Sequence, residues 1–379
     1  MVTSFSLATA AVVIAASSVA AYDADATDNV VVYWGQNSYG AANSDTAGWQ
    51  KNLSTYCDDD TVNVLPLAFL NVFFSTGDLP EINLANSCNN VDNPVINGTA
   101  LPDCSFMAED IKTCQDKGKL VTLSLGGATG AATFTDDAQA EAFAETIWNV
   151  FMGGESDVRP FGDAVIDGVD LDIEGGSSAG FAAFAKKLKS IATDAGGSAY
   201  LSAAPQCVFP DAYLGEVINA VEMDAIYVQF YNNFCGLQNY DNVNAWNYAQ
   251  WDDWAKNTSP NKDVKIFIGA PASSTAAGSG YVDATTLSNI AVETRDNYTS
   301  FGGVMFWDAS QAWANGRIDQ TVKGALSSNG TSIVTQAAMS PAETFPATAT
   351  DSRHITDKMA APTGAAKRHG MFKLRSAHD

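Results

Sequence analysis

The feature that most constrains this chain is a regular alternation of short apolar runs with stretches of helical periodicity. Eight runs rich in β-branched and apolar residues recur along it: VVVYW (30–34), VNVLPLAFLNVF (62–73), KLVTLSL (119–125), VIDGVDLDIE (165–174), AYLSAA (199–204), AIYVQFY (225–231), VKIFIGA (264–270) and GGVMFW (302–307). Each is followed by a helix-like stretch. Two of these, DDAQAEAFAETIWNVFMGG and SAGFAAFAKKLKSIATDAGG, space their apolar residues for one helix face, and the second closes on glycine as helix C-termini often do. Eight such units over about 300 residues predict an α/β fold, a (β/α)8 TIM barrel forming a single catalytic domain, with a doubly wound open sheet as the alternative. The first strand leads into YWGQNSYG, which is not a Gly-rich phosphate loop, and this weakens the nucleotide-binding version of the open sheet.

The segments flanking the repeat read differently. Residues 1–21 hold an apolar run and then small residues, the pattern of a secretory leader, and the run is too short to span a bilayer. A secreted protein, extracellular or in a cell wall, with no membrane span is therefore expected. The barrel is expected over 22–335, and 336–379 reads as a flexible Ala/Pro/Thr/Ser-rich tail with a basic end. Cys57, Cys88, Cys104, Cys114, Cys207 and Cys235 form an even set without paired CxxC zinc spacing, which favours disulfides in an oxidising compartment. Asn52, Asn97, Asn257, Asn297 and Asn329 begin N-x-S/T sequons.

Charge and histidine content exclude whole classes of function. A net charge of −23 argues against nucleic acid as a partner, because a polyanion would be repelled. All three histidines, His354, His369 and His378, lie in the tail. The body thus has none for a Ser-His-Asp triad or a zinc site, and neither a metal nor a cofactor is expected.

What remains for chemistry is carboxylate, and it is concentrated in DGVDLDIE. Side chains alternate along a strand, so Asp170, Asp172 and Glu174 share one face while Val169, Leu171 and Ile173 share the other. In a barrel the apolar face packs on the helices and the acidic face points inward, near the end of the fourth strand where active sites of such barrels gather. Three like charges at this spacing predict that one proton is retained, with Asp170 and Asp172 sharing a proton or hydrogen bond behind an outermost Glu174. A protonated carboxyl working without histidine or metal suits glycosidic bond cleavage.

DGVDLDIE resembles the DxxDxDxE signature of family 18 glycoside hydrolases, and LSLGG (123–127) resembles that family's SxGG motif. VVYWGQN, AFLNVF, LSAAPQC, VQFYNN, GAPASSTAAGSGYV and GGVMFWDASQAW are similar, in order, to segments of plant and fungal class III chitinases, so the likeness runs from about residue 30 to residue 326. The resemblance implies a (β/α)8 barrel and a monomeric endo-chitinase acting on chitin or chitooligosaccharide. It implies retention of configuration, the substrate's own 2-acetamido group serving as nucleophile. Glu174 is then the proton donor, Asp172 orients the acetamido group with Asp170 in support, and Tyr231 bonds the acetamido carbonyl. Gln229 becomes a polar contact, Trp307 the floor under the sugar, and Tyr33, Phe69 and Gly126 shape the cleft. Gln206 and Asn232 are further candidate contacts, while Asp167 takes a structural role. The same resemblance implies the disulfides Cys57–Cys114, Cys88–Cys104 and Cys207–Cys235, and non-proline cis peptides at Ala68-Phe69 and Trp307-Asp308. Two alternatives stay open: an endo-β-N-acetylglucosaminidase acting on N-glycans, and a catalytically silent chitin-binding lectin on the same barrel.

Overall fold

The computed structural model describes residues 21–128 and 131–328, so the expected tail and all of the expected leader but Ala21 lie outside the described residues. Eight parallel strands close into a barrel: β1 (Asn29–Val32), β2 (Val64–Val72), β3 (Leu120–Gly127), β4 (Gly168–Ile173), β5 (Tyr200–Ala203), β6 (Ala225–Gln229), β7 (Lys265–Pro271) and β8 (Phe301–Trp307). Closure is made by β1, which pairs with β8 through Asn29↔Gly303 and with β2 through Val31↔Val64. A two-residue strand, Glu81–Ile82, adds an antiparallel hairpin to the outer end of β2.

The helices follow the strands: α1 (Ser38–Ala42), α2 (Ala108–Asp116), α3 (Asp137–Phe151), α4 (Phe181–Asp194), α5 (Gly215–Ala220), α6 (Tyr248–Asn257), α7 (Ala284–Asn297), then α8 (Ala309–Ala314) and α9 (Ile318–Ser327) after β8. The expectation of a full helix after every strand fails at the first crossover. Between β1 and β2 the chain makes only the five-residue α1 and two 3-10 turns. Its Asn, Asp, Ser and Gly residues explain this, since their side chains offer the backbone other partners. Asn37 accepts from the Gly40 N–H, and Asp45 from the Ala47 N–H. Where propensity and capping agree, full helices form. Asp283 caps α7 by accepting from the N–H groups of Thr285 and Thr286. Replacing it by alanine should lower stability by about 1 kcal/mol. A thermal melt should read that as a Tm drop of about 2 °C.

Strand alternation divides the interior into two cores. Val169, Leu171 and Ile173 of β4 point outward into the large cluster that the helices cover. Val31, Val64, Ala225, Tyr227, Phe267 and Met305 fill the barrel itself. The fourth strand starts later than its apolar run suggests, because Val165 is 44% exposed and Asp167 serves as a staple. The Asp167 carboxylate accepts from the Val121 N–H at 2.7 Å and from Gln115 Nε2 at 3.1 Å, locking the base of β4 to that of β3.

Three disulfides tie the loops: Cys57–Cys114, Cys88–Cys104 and Cys207–Cys235, the same pairs that the resemblance implied. Ala68-Phe69 and Trp307-Asp308 are both cis. Among the described residues no helix is long and apolar enough to cross a membrane.

Candidate active site

The register of the sheet sets a row of polar side chains across the middle of the barrel. Ser124 on β3 pairs with Asp170 on β4, which pairs in turn with Ser202 on β5. Asp170 is fully buried and accepts three hydroxyl hydrogen bonds: from Tyr33 at 2.7 Å and Ser124 at 2.7 Å on Oδ2, and from Ser202 at 2.8 Å on Oδ1. Burial raises its pKa, and these three donors oppose the rise. In place of the bond expected between Asp170 and Asp172, Asp170 takes its three hydrogen bonds from these hydroxyls. Behind Ser202 the chain of hydroxyls continues to Tyr227, whose oxygen lies 3.0 Å from that of Tyr200.

One step toward the mouth, Asp172 is 3% exposed and accepts from Gln229 Nε2 at 2.9 Å. Burial, with the charges of Glu174, Asp170 and Asp211 adding to it, holds its carboxyl well above the usual carboxylate range, while the Gln229 bond pulls the other way. Glu174, the outermost, is also raised: burial dominates, Gln229 opposes and the Asp211 charge adds. Burial further lifts the Tyr231 hydroxyl well above its ordinary value, so it remains a hydrogen-bond donor across the working pH range. Burial therefore favours the protonated form at Asp172 and at the solvent-facing Glu174 beside it.

These groups line a cleft of about 380 Å³. Asp172, Glu174, Gln229, Tyr231, Asn232, Tyr33, Phe69, Gly126 and Trp307 all face it, and Asp170 lies beneath. An aromatic wall forms where Phe69 stacks on Trp307 at 5.8 Å and 17°, with Tyr33 tilted against Trp307 at 5.7 Å. Gly126 sits at φ +108°, and a Cβ there would meet the Asp172 carbonyl oxygen at 2.6 Å, so only glycine lets β3 approach the acidic strand this closely.

Gln206, the further candidate contact, stands apart from these residues. It is absent from the cleft lining, and its side-chain oxygen accepts from Asn233 Nδ2 at 3.1 Å while its backbone bridges Gln229. The sequence reading missed Gln36, Asn71 and Asn83, which give the cleft a polar edge. Gln36 and Asn71 follow the apolar cores of the first two runs, which is the only signal that could have found them. No cluster of three or more His, Cys, Asp or Glu side chains suited to a metal ion occurs among the described residues.

Comparison with known proteins agrees with this geometry. Residues 29–299 match the family model described as glycosyl hydrolases family 18. Chitinase 2 of Rhizopus oligosporus is 51% identical over 302 residues, covering 80% of this chain and 53% of that protein. The chain spans about half the length of the curated relatives it matches first. Among solved structures, a chitinase from Ipomoea carnea is 32% identical with a TM-score of 0.65, over 78% of this chain and 99% of its own. A xylanase and alpha-amylase inhibitor protein from Scadoxus multiflorus is nearly as similar, at 31% identity and a TM-score of 0.64 over 78% of this chain and 98% of its own. With the acidic fourth strand inside a closed parallel barrel and the family model matching most of the chain, this protein belongs to glycosyl hydrolases family 18.

Proposed function

We propose that the chain is a secreted endo-chitinase that cleaves β-1,4 bonds between N-acetylglucosamine units with retention at the anomeric carbon. The observation that carries the reading is the meeting of Glu174, Asp172 and Tyr231 over the wall formed by Trp307, Phe69 and Tyr33 in one cleft. The names of its relatives support it, as do three disulfides suited to an oxidising compartment. The expected arrangement of leader, barrel and tail is part of the same proposal.

In this mechanism Glu174 gives its proton to the leaving glycosidic oxygen. The carbonyl oxygen of the substrate's 2-acetamido group attacks C1 as the C1–O bond breaks, closing an oxazolinium ring. Asp172 accepts from the acetamido N–H and offsets the positive charge, which forms where an unpaired buried carboxylate would otherwise be costly. Tyr231 donates to the acetamido oxygen and aims it. Water then opens the ring from the face that the leaving group vacated, giving its proton to Glu174.

The stereochemistry of the first product tests the scheme. Carboxyls two residues apart on a strand are separated by about 6.6 Å. Such a gap would suit an inverting pair with a water between them, so the two mechanisms predict opposite outcomes here. Proton NMR of chitotetraose hydrolysis should show the β-anomer first. An initial α-anomer would sink the substrate-assisted scheme. No turnover at all, with oligosaccharide still bound, would favour a catalytically silent chitin-binding lectin on the same barrel.

A further inference from the structure

The loop from β7 to α7 gives only Ala276 to the cleft lining. Its remaining contacts join two neighbours that the cleft depends on. β7 lies between β6 and β8 in the sheet, so a loop leaving its end can reach both sides. At the start of the loop the Ala272 N–H donates to the carbonyl oxygen of Trp307 at 2.8 Å. The hydroxyls of Ser273 and Thr275 then donate to Gln311 Oε1, the second at 3.0 Å, on the helix that follows Trp307. Gln311 is fully buried, so this end of the loop is fixed to the β8 side.

One residue fixes the far end to the β6 side. Asn232, directly after Tyr231, has φ 57°, a left-handed conformation that asparagine adopts more readily than most residues. Its Oδ1 accepts from the Gly278 N–H at 2.8 Å and from the Ser279 N–H at 3.2 Å, and its own N–H donates to the Ser279 carbonyl at 3.2 Å. Gly280, next along the loop, lies against Tyr231 itself. It sits at φ +102°, and a Cβ there would meet Tyr231 Cβ at 2.6 Å and Tyr231 Cα at 2.7 Å, so only glycine fits. The loop is thus a strap across the end of β7, tied to Trp307 at one end and to Tyr231 at the other.

We propose that Asn232 is a positioning residue: with its side-chain oxygen it latches the strap, and the strap holds Tyr231 at a fixed place relative to Trp307. The proposal rests on the reading of Tyr231 as the donor to the acetamido oxygen and of Trp307 as the floor under the sugar. A hydroxyl that aims this oxygen at C1 must be held relative to the surface that carries the ring, because small misplacements of reacting groups are costly in rate. Asn232 also faces the cleft, so a direct bond from its amide nitrogen to the sugar is the competing use of the same side chain. The two uses need opposite ends of the amide: the latch needs the oxygen as acceptor, the contact needs the nitrogen as donor.

Asn232→Gly and Asn232→Asp separate them. Glycine keeps the positive φ and removes the latch, while aspartate keeps an acceptor oxygen and removes the amide donor. In Asn232→Gly, kcat on chitotetraose at the plateau of the pH profile should fall about 10- to 100-fold, and KM should move far less. Asn232→Asp should stay within a few-fold of wild type. In a Tyr231→Phe background, Asn232→Gly should cost nothing further, because no hydroxyl is left to aim. A readout without turnover accompanies these: NMR amide exchange at Gly278 and Ser279 should quicken in Asn232→Gly and stay slow in Asn232→Asp. Equal losses in the two variants would make Asn232 a substrate contact and overturn the proposal. So would a loss in Asn232→Gly that is the same with and without the Tyr231 hydroxyl, or unchanged exchange at both amides; each leaves the chitinase reading intact. A wild type without turnover, or a Tyr231→Phe variant with wild-type kcat, would instead overturn the reading of Tyr231 and the positioning role with it. Asn232 is exposed, so both variants should fold; if Asn232→Gly does not, Asn232→Ala is read in its place.

Discussion

Replacing Glu174 by glutamine should lower kcat on chitooligosaccharides by about 100- to 10,000-fold, with oligosaccharide binding preserved. Glutamine has nearly the same shape but no transferable proton, so the glycosidic oxygen would have to leave as an alkoxide. Glu174 is the partly exposed end of the acidic strand, and its substitution leaves the hydroxyl cage of Asp170 and the aromatic wall in place. It also removes one of the charges that disfavour ionisation of Asp172. The fold should therefore be no less stable, and a Kd from calorimetry should stay within a few-fold of the wild-type value. A variant that kept a tenth of wild-type kcat would remove Glu174 from the donor role.

Much of this site was legible in the sequence for a physical reason. Barrel strands are buried on both faces and read as nearly continuous apolar runs. Against that background Asp170, Asp172 and Glu174 stood out, and their period of two assigned them to one face. The partners of Asp170 were hidden because they depend on register: Ser124 and Ser202 reach it only because β3 and β5 pair with β4 at that level. The short first crossover was misread as a helix because composition was judged without the side-chain caps at Asn37 and Asp45. The side-chain direction of Gln206 was hidden because a residue just past the end of a strand can face the mouth or turn back into its loop. Its side-chain oxygen accepts from Asn233 Nδ2 at 3.1 Å, a partner 27 positions away that the sequence does not announce.

Replacing Asp172 by asparagine should separate activity from stability. Asparagine can still accept from Gln229 and from an acetamido N–H, but it brings no negative charge to the oxazolinium ring, and kcat should fall by about 100- to 1,000-fold. Stability should change in the opposite sense. The folded Asp172 carboxyl titrates well above the usual range, chiefly through burial. Between the ordinary carboxylate range and that higher midpoint, the folded state keeps a proton that the unfolded chain has released. Folded protein thus binds more protons, and its stability falls as pH rises through this window and levels off above it. Below the window both states are protonated and the group contributes nothing. The Tm difference between Asp172→Asn and wild type should then be near zero at pH 3 and grow to a few degrees in the variant's favour by pH 7. Asp170, Glu174 and Asp308 are shifted in the same direction and steepen the wild-type curve, but they remain in both proteins and largely cancel in the comparison. A difference that is flat across pH, or that favours the wild type, would mean that Asp172 is not held as a destabilised acid. A positive slope joined to the loss in kcat would identify it as a carboxylate kept at the expense of stability because the reaction needs its charge.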